Sequence, residues 1–404
     1  MNILFISNAF RLFDDADCGG GNRTTMFINA LSTIGHVDVI SFEGSIIKGF
    51  KGNISIIHTD RIETNYHPTN WQRRLSMVKS FYKLLRYPSS PYSFFSVNKA
   101  KENCIDAYYS LKKYDIVACR YIDTVINCGL LKYSSKLVVD IDDRPSIAIK
   151  RDIETTRFHH IWEKKYYQLR AHYIDRMTSE VLDRFICSFY SNRLEKPADN
   201  SVFLHNVSLQ TNPCGLVSNN TPKRLLIVGN MNFPPNKCGI QYFVENVFAE
   251  IRKKTVDAEL HIVGRIKDYR FAEKLNNVDG VVVKGYVEDV VKEYEEARVV
   301  VVPIYSGSGT SVKFIEALQL RRPIIATPLG VRGYEDVCKN GEHYLLSSDN
   351  REFIDNCLCL LDNVDLCNDI ACSGYKIAHK YLSPLCFNSI VSNTVLSSIN
   401  DKMR

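Results

Sequence analysis

The stretch Pro303-Ile-Tyr-Ser-Gly-Ser-Gly-Thr-Ser-Val-Lys-Phe-Ile-Glu-Ala-Leu318, followed by Arg322-Pro-Ile-Ile-Ala-Thr-Pro-Leu-Gly330, decides the fold. It predicts a buried strand over 299–303, a glycine-rich turn, an amphipathic helix and a second apolar strand over 323–326. The glycines let backbone N–H groups approach a ligand, and the helix N-terminus behind them attracts an anion such as a diphosphate. Glu316 in that helix can accept hydrogen bonds from ribose hydroxyls. The same pattern also fits a packing turn that binds no ligand.

The composition is that of an ordinary globular protein. Its 404 residues, 45% of them hydrophobic, predict two domains. The net charge of +6 permits anionic substrates or an anionic membrane surface without requiring either, and we predict no nucleic-acid partner. The 13 cysteines are scattered, which favours reduced thiols in a cytosol over a disulfide framework or a metal site. The apolar N-terminus predicts a strand rather than a signal peptide, and no apolar run is long enough to span a membrane. We therefore predict a cytoplasmic protein.

Apolar strands and helical segments alternate twice along the chain. The strands predicted in the first half are 2–7, 37–42, 54–58, 115–120, 136–141, 184–188 and 202–204, and those in the second half are 224–229, 259–263, 281–283, 299–303 and 323–326. Short β-branched strands between helices imply parallel sheets covered on both faces. The polar, turn-rich stretch 210–222 predicts a linker. The predicted fold class is α/β, with two Rossmann-like, doubly wound domains that bind a ligand at the carboxyl ends of their strands.

A second glycine-rich loop, Cys18-Gly-Gly-Gly-Asn-Arg-Thr24, lies between the first strand and a helix predicted over 23–34. It could cradle phosphates, or it could be a loop without a ligand. The pattern is not Gly-x-Gly-x-x-Gly, and no well-placed acid ends the second strand. A dinucleotide-dependent oxidoreductase is therefore not favoured.

Acidic residues end the strand predicted over 136–141. Asp142 and Asp143 follow it, where a carboxylate can act as a general base or orient an acceptor. The alternative is that they only cap a helix beginning near Ser146. His159, His160 and Glu163 could share one helix face, but this arrangement is more typical of a solvated surface than of a metal site.

The segment 71–86 predicts an amphipathic helix. Its apolar residues recur at helical spacing, and five basic residues with no acid accompany them: Arg73, Arg74, Lys79, Lys83 and Arg86. Such a helix can lie on an anionic membrane. It can equally pack its apolar stripe on the first domain and leave its charges in water.

Several stretches of the second half, in this order and spacing, resemble glycosyltransferase family 4 of the GT-B fold class. They are Val228-Gly-Asn-Met-Asn-Phe-Pro-Pro-Asn236, His261-Ile-Val-Gly264, Val283-Lys-Gly-Tyr-Val-Glu-Asp289, Gly307-Ser-Gly-Thr-Ser-Val-Lys-Phe-Ile-Glu316 and Thr327-Pro-Leu-Gly-Val-Arg-Gly333. The first half matches more weakly, through the loop at 19–21, the Gly35-His36 pair and the acidic strand end. The resemblance implies two Rossmann-like domains facing a central cleft, a nucleotide-sugar donor held mainly by the second domain, and transfer with retention of configuration, without a metal or a cofactor.

The resemblance also implies roles for individual residues. Asp142 and Asp143 are the expected catalytic residues on the acceptor side. The expected donor-binding residues are Gly20, Gly21, Gly229, Gly264, Arg265, Tyr286, Gly307, Ser308, Gly309, Thr310, Ser311, Lys313 and Glu316. Glu316 resembles the second acid of the family's Glu-x7-Glu motif, which binds the donor ribose.

The chain departs from the family pattern at three positions. Ser308 replaces the first acid of the motif, as in the branch of the family with a Gly-Ser-Gly-Thr loop, and this leaves the donor sugar undetermined. Met231 and Asn236 stand where many members have an Arg and a Lys for the diphosphate. Its charge is then expected to be met by Lys313, Lys237 or Arg265, helped by helix-terminus amides.

The predicted function is a retaining hexosyltransferase that uses a nucleotide diphosphate sugar and a glycan or lipid-linked acceptor, in cell-surface polysaccharide biosynthesis. The alternatives are a GT-B nucleotide-sugar epimerase and a non-catalytic, donor-binding subunit of a polysaccharide assembly complex. The predicted domains are 1–212 on the acceptor side and 223–382 on the donor side. A C-terminal helix over 383–404 is predicted to pack back towards the first domain.

Overall fold

A computed structural model describes residues 1–8, 19–43, 52–60, 71, 75, 78–79, 82, 97–144, 146–147, 149–150, 153, 161–191, 197–210, 212–307 and 309–403. The chain divides into two compact units. One is Met1–Leu204 together with Phe387–Arg404, and the other is His205–Cys386. Each unit contains its own parallel sheet with helices, as the alternation of strands and helices predicts.

The first unit has a parallel sheet in the order β3-β2-β1-β4-β5-β6-β7. The strands are β1 (Asn2–Ser7), β2 (His36–Ser41), β3 (Ile54–His58), β4 (Ile116–Arg120), β5 (Leu137–Asp142), β6 (Cys187–Tyr190) and β7 (Ser201–Phe203). The described helices are α1 (Gly19–Ser32), α2 (Lys99–Leu111), α3 (Ile122–Asn127) and α4 (Ile161–Leu182), with a 3-10 turn at Leu130–Lys136. The strand order reverses between β1 and β4. In α/β sheets, ligands bind outside the carboxyl ends of the strands at such a point.

The second unit repeats this plan with the order β10-β9-β8-β11-β12-β13. Its strands are β8 (Arg224–Val228), β9 (Glu259–Val263), β10 (Val281–Gly285), β11 (Val299–Val302), β12 (Ile324–Ala326) and β13 (Leu345–Leu346). The helices are α5 (Pro234–Phe243), α6 (Ala249–Lys254), α7 (Tyr269–Asn276), α8 (Val290–Glu296), α9 (Val312–Gln319), α10 (Asn350–Asp362) and α11 (Val364–Tyr381). A π-helical turn, Val244–Phe248, joins α5 to α6, and α12 (Pro384–Met403) ends the described chain. Every residue of β11 is buried, as its run of four valines predicts.

The structure differs from the predicted elements in two strands. The prediction over 184–188 was wrong in position, because β6 begins at Cys187. The residues before it turn out of α4, with the amides of Arg184 and Phe185 bonded to the carbonyls of Val181 and Leu182. The edge strand β13 was missed, because two residues are too short to show a strand period.

The polar stretch at 210–222 lies within the second unit, where buried arginines bind its carbonyl groups. Arg322 donates from Nη1 to the carbonyl of Gly215 at 2.7 Å, and Arg298 donates from Nη2 to the carbonyl of Ser218 at 3.3 Å. Both side chains are buried and donate to backbone carbonyls. The described part of this stretch is therefore held on the second unit.

Only five residues of the segment predicted as an amphipathic helix are described, and all five are helical. The apolar residues among these five are solvent-exposed. Trp71 is 70% exposed, Val78 53% and Tyr82 60%. The described residues thus do not bury the stripe against the first unit. Among the described helices, none has the length and apolar character needed to cross a membrane.

Candidate functional site

The loops that follow β8 and β11 meet at the point where the strand order of the second sheet reverses. Gly229 comes directly after β8, and the glycine loop at 307–310 comes between β11 and α9. Ser308 lies outside the described residues. The carboxyl ends of these two strands are the place where a doubly wound sheet binds its ligand, so Gly229 and the glycine loop lie where the topology places a site.

The glycines of this region differ in the space around them and in their backbone conformation. Gly264 has φ +139°, and a Cβ there would lie 1.9 Å from the carbonyl oxygen of Gly229. Packing between neighbouring loops therefore requires glycine at this position. In contrast, a Cβ on Gly309 would meet no atom within 4 Å, so this glycine faces open space. Gly307 has φ +119°, a conformation that favours glycine.

Lys313 is a poorly compensated cation at the start of α9. Its Nζ donates to the Oδ1 of Asn236 at 2.6 Å, and a Cβ on Gly229 would lie 3.0 Å from this Nζ. Burial lowers the pKa of Lys313 to about 8, against the opposing influence of Glu316. A cation whose hydrogen-bond partner is a neutral amide gains from an anionic ligand. Asn236, where the resemblance led us to expect a lysine, therefore holds the ammonium group of another lysine.

Glu316 lies on the same helix, beyond Lys313. Burial raises the pKa of its carboxyl group, although the Tyr294 hydroxyl and the Lys313 ammonium both favour the ionised form. Tyr294 is fully buried behind it in α8. The site thus combines a carboxylate that accepts hydrogen bonds with a cation that favours phosphate, in the order that a nucleotide diphosphate requires.

Helix α9 offers unpaired donors at its N-terminus. Ser311 is its N-cap residue, but the side chain makes no capping hydrogen bond. Its Oγ is buried and has no hydrogen-bond partner among the described residues. The first amides of an α-helix also lack partners within the helix, and they carry the positive end of its dipole. A phosphate group would accept hydrogen bonds from both the Ser311 hydroxyl and these amides.

The other predicted cations are engaged elsewhere. Lys237 forms a 2.7 Å ion pair with Asp268. The guanidinium of Arg265 lies 5.0 Å above the ring of Tyr286, so these two exposed predicted residues come together at the ends of β9 and β10. Met231 is buried. Lys313 is therefore the predicted cation whose surroundings most favour a diphosphate.

Two residues that were not predicted from the sequence contact the glycine loop. Arg332 donates from Nη1 to the carbonyl of Gly307 at 2.8 Å. Asn206 donates from Nδ2 to the hydroxyl of Thr310. Arg332 belonged to a matching stretch, but its partner could not be read from spacing. Asn206 lies about a hundred residues before the loop, and no sequence signal marked it.

In the first unit, a buried ion cluster lies at the carboxyl ends of β4 and β5. Asp140 is fully buried and accepts two hydrogen bonds from Arg23 at 2.8 Å and one from Arg120 at 2.7 Å. Despite burial, these guanidinium groups lower the pKa of Asp140. Asp140 is therefore structural, and it ties α1 to the sheet.

Asp142 is the partly exposed member of this cluster. Its Oδ2 accepts from Arg120 Nη2 at 2.8 Å, its Oδ1 accepts from Ser191 Oγ at 2.6 Å, and its side chain is 20% exposed. Asp142 also has φ +57°. Tyr121, which directly follows the paired strand β4, has φ +69°. Strained residues of this kind persist where the surroundings fix them, often at functional sites. Asp143 is half-buried beside it.

Gly20 and Gly21 do not lie in a loop, because α1 begins at Gly19 and contains both in its first turn. The loop prediction was wrong at these two residues. A glycine in a first helical turn still leaves its N–H without an intrahelical partner. Beside α1, a small recess at the strand reversal is lined by Phe5, Ile6, Ser7, Asn8, Thr24, Arg120 and Tyr121.

Comparison with known proteins bears on both the sequence and the fold. Residues 222–363 match the family model described as "Glycosyl transferases group 1". An uncharacterized 44.6 kDa protein in the cps region of Klebsiella pneumoniae is 22% identical over 409 residues, which cover 93% of this chain and 95% of that protein. The residues that match this model lie in the second unit and include the glycine loop, Lys313 and Glu316.

Solved structures of glycosyltransferases share the fold along nearly the whole chain. Sucrose-phosphate synthase from Thermosynechococcus elongatus is similar with a TM-score of 0.64 and 14% identity, covering 100% of this chain and 98% of that one. Anabaena Alr3699/HepE in complex with UDP and glucose has a TM-score of 0.61 and 11% identity, with 98% and 99% coverage. WaaG, a glycosyltransferase involved in lipopolysaccharide biosynthesis, has a TM-score of 0.60 and 14% identity, with 96% and 99% coverage. The two Rossmann-like units are those of the GT-B fold.

Proposed function

We propose that this protein is a retaining, cytoplasmic glycosyltransferase. It moves a hexose from a nucleotide diphosphate sugar to a glycan or lipid-linked acceptor in cell-surface polysaccharide biosynthesis. One observation carries the proposal. At the strand reversal of the second sheet, Lys313 and Glu316 follow an open glycine loop on one helix, as a diphosphate and a ribose require.

The chemistry assigns different work to the two units. As the diphosphate leaves, its growing charge is stabilised by the Lys313 ammonium and the amides of α9, which are in place before the reaction. Glu316 binds the ribose hydroxyls. Asp142, oriented by Arg120 and Ser191, holds the acceptor hydroxyl and takes its proton late in the transfer.

The comparisons support the proposal at the level of the reaction class. The matched family model is one of glycosyltransferases, and Alr3699/HepE is described with UDP and glucose bound. The relatives WaaG and the cps-region protein connect the proposal with surface polysaccharides. Assignment to family 4, the hexose and retention are part of the proposal.

Donor turnover tests the proposed function. The protein is incubated with a nucleotide sugar that stabilises it, with and without a membrane glycolipid extract. We expect nucleoside diphosphate release that depends on the extract, with one sugar added to a glycolipid. Epimerised donor without an acceptor would indicate the epimerase, and tight binding without any turnover would indicate the non-catalytic subunit.

Activity is expected to be independent of divalent metal ions. The sequence of the second unit has no Asp-x-Asp motif beside the glycine loop, and the pair Asp140 and Asp142 lies in the other unit. Phosphate charge is expected to meet Lys313 and the N-terminus of α9 instead. Donor turnover in excess EDTA should therefore equal turnover with Mg²⁺ or Mn²⁺. If EDTA abolishes turnover and Mg²⁺ restores it, the assignment of the phosphate site to Lys313 is contradicted.

We further propose peripheral binding of the segment 71–86 to anionic lipid. Its described apolar residues face solvent, and its sequence carries basic residues without an acid. Changing Arg73, Arg74, Lys79 and Lys83 to Gln should reduce binding to vesicles with anionic headgroups by up to about 4 kcal/mol before salt screening. Cosedimentation measures the loss. Trp71 fluorescence in a Trp162→Phe background should shift to the blue with these vesicles and not with zwitterionic ones.

A variant with four exposed basic residues of the second unit changed to Gln controls for net charge; these are Lys253, Lys254, Lys267 and Arg270. It should bind vesicles like the wild type. Equal sedimentation of both variants and the wild type would show that the basic residues of segment 71–86 are ordinary solvated surface.

A further inference from the structure

The glycine loop at 307–310 is held at both of its ends by side chains from elsewhere in the second unit. At one end, the guanidinium of Arg332 donates to the carbonyl of Gly307 at 2.8 Å. At the other end, the amide of Asn206 donates to the hydroxyl of Thr310. Neither Asn206 nor Arg332 belongs to the loop or to α9, which follows it.

Packed aromatic rings support the backbone of Asn206. The carbonyl of Asn206 accepts from the hydroxyl of Tyr334 at 3.1 Å. The Tyr334 ring stacks between His205, at 5.9 Å, and Phe314 of α9, at 5.6 Å. Aromatic stacks of this kind fix their members in position, and they connect the start of the second unit to α9.

Gly333 packs closely against the side chain of Thr310. Gly333, next to Arg332, has φ +91°, and a Cβ on it would lie 2.4 Å from the Cγ2 of Thr310. The loop thus touches the segment 332–334 through both a hydrogen bond and van der Waals contact. In the sequence, Arg332 and Gly333 belong only to a stretch that resembles glycosyltransferases, and the resemblance implies no donor role for them.

A loop with two glycines is costly to order. Glycine loses more backbone freedom on ordering than any other residue, and a free loop pays this cost when a ligand binds. Contacts that fix the loop beforehand remove that cost from the binding reaction. Arg332 and Asn206 hold the two ends of the loop, and these contacts limit its backbone freedom before a ligand binds.

We propose that Asn206 and Arg332 are positioning residues, which hold the glycine loop in the conformation that binds the donor diphosphate. This rests on the proposed function, because it assigns the loop to a nucleotide sugar. Neither residue is required to touch the donor. Asn206 acts through the hydroxyl of Thr310, and Arg332 acts through the carbonyl of Gly307.

The test is a double-mutant cycle on the full-length protein, read by calorimetry with UDP and GDP. Asn206→Ala and Thr310→Val each remove the same hydrogen bond, and each should weaken binding of the preferred nucleotide about two- to twelvefold. The double variant should bind the nucleotide as tightly as the single variant with the lower affinity, because both changes remove the same hydrogen bond. Thr310→Ser keeps the hydroxyl, so Asn206→Ala should weaken binding by the same factor in a Thr310→Ser background as in the wild type. Arg332→Met should weaken binding independently of the other pair.

Hydrogen exchange separates positioning from a general loss of stability. Without nucleotide, the amides of Gly307, Gly309, Thr310 and the first turn of α9 should exchange faster in Asn206→Ala and Arg332→Met than in the wild type. The amides of β8 and β11 should keep their wild-type rates. Unchanged nucleotide affinity or unchanged loop exchange in these variants would overturn the inference. If the wild type binds neither nucleotide, the proposed function fails with it. If the wild type binds and the variants bind equally well, only the positioning role fails.

Discussion

Glu316→Gln is expected to weaken nucleotide binding by about 1.5–3 kcal/mol, the contribution of a hydrogen bond to a charged group. The amide keeps the shape of the side chain but loses the charge that ribose hydroxyls bind most strongly. The change also removes a group that raises the pKa of Lys313, so the ammonium would lose its proton more readily. Calorimetry with the nucleotide that the wild type prefers measures the loss.

The matched control is Glu273→Gln, an exposed glutamate of α7 in the same unit. It should leave nucleotide affinity unchanged. Thermal unfolding without ligand shows whether Glu316→Gln still folds, and we expect it to fold because the glutamine occupies the same volume. An unchanged dissociation constant in a folded Glu316→Gln variant would remove Glu316 from the donor site.

Asp142→Asn is expected to lower kcat at least tenfold, within the 10²–10⁴-fold range typical of general acid–base catalysis. Donor affinity should stay near that of the wild type, because Lys313 and Glu316, the side chains proposed to bind the donor, lie in the other unit. Asn tolerates the left-handed backbone that Asp142 adopts, so the local fold should survive. The amide cannot accept the acceptor proton, although its oxygen can still accept from Arg120.

Asp143→Asn is the neighbouring control, and its comparison with Asp142→Asn assigns the role. A nearly silent Asp142→Asn with a crippled Asp143→Asn would move the catalytic function one residue along. Two silent variants would leave the cluster with a structural function only, as Asp140 has. Both variants are measured in the transfer assay and by nucleotide calorimetry, so that a loss in kcat is separated from a loss of donor binding.

The fold was readable from the sequence because local patterns determine it. Runs such as the four valines of β11 have one stable place, which is inside a parallel sheet covered on both faces. The position of the glycine loop followed from the same pattern, since it comes after a buried strand. The first turn of α1 was misjudged, because three glycines in a row favour a loop by propensity alone.

Contacts between distant residues could not be read from spacing. The hydrogen bond between Lys313 and Asn236 joins positions 77 residues apart, and the ion pair of Arg23 with Asp140 joins positions 117 apart. The sequence showed that Asn236 lacks the expected charge, but only the structure shows which cation lies against its amide. Likewise, the position of Asp142 after a strand made it a candidate catalytic residue. The contact with Arg120 that fixes its orientation is visible only in the structure.

The central claim is that the second unit binds a nucleotide diphosphate sugar at Lys313 and Glu316. Thermal unfolding of the wild type and of Glu316→Gln with a panel of nucleotides and nucleotide sugars tests it most directly. A ligand at 100 times its dissociation constant stabilises the fold by about 2.7 kcal/mol. We expect at least one nucleoside diphosphate and its sugar conjugate to raise the Tm of the wild type, and both shifts to be smaller in Glu316→Gln. A wild-type Tm that no member of the panel raises, or shifts that are equal in the two proteins, would contradict it.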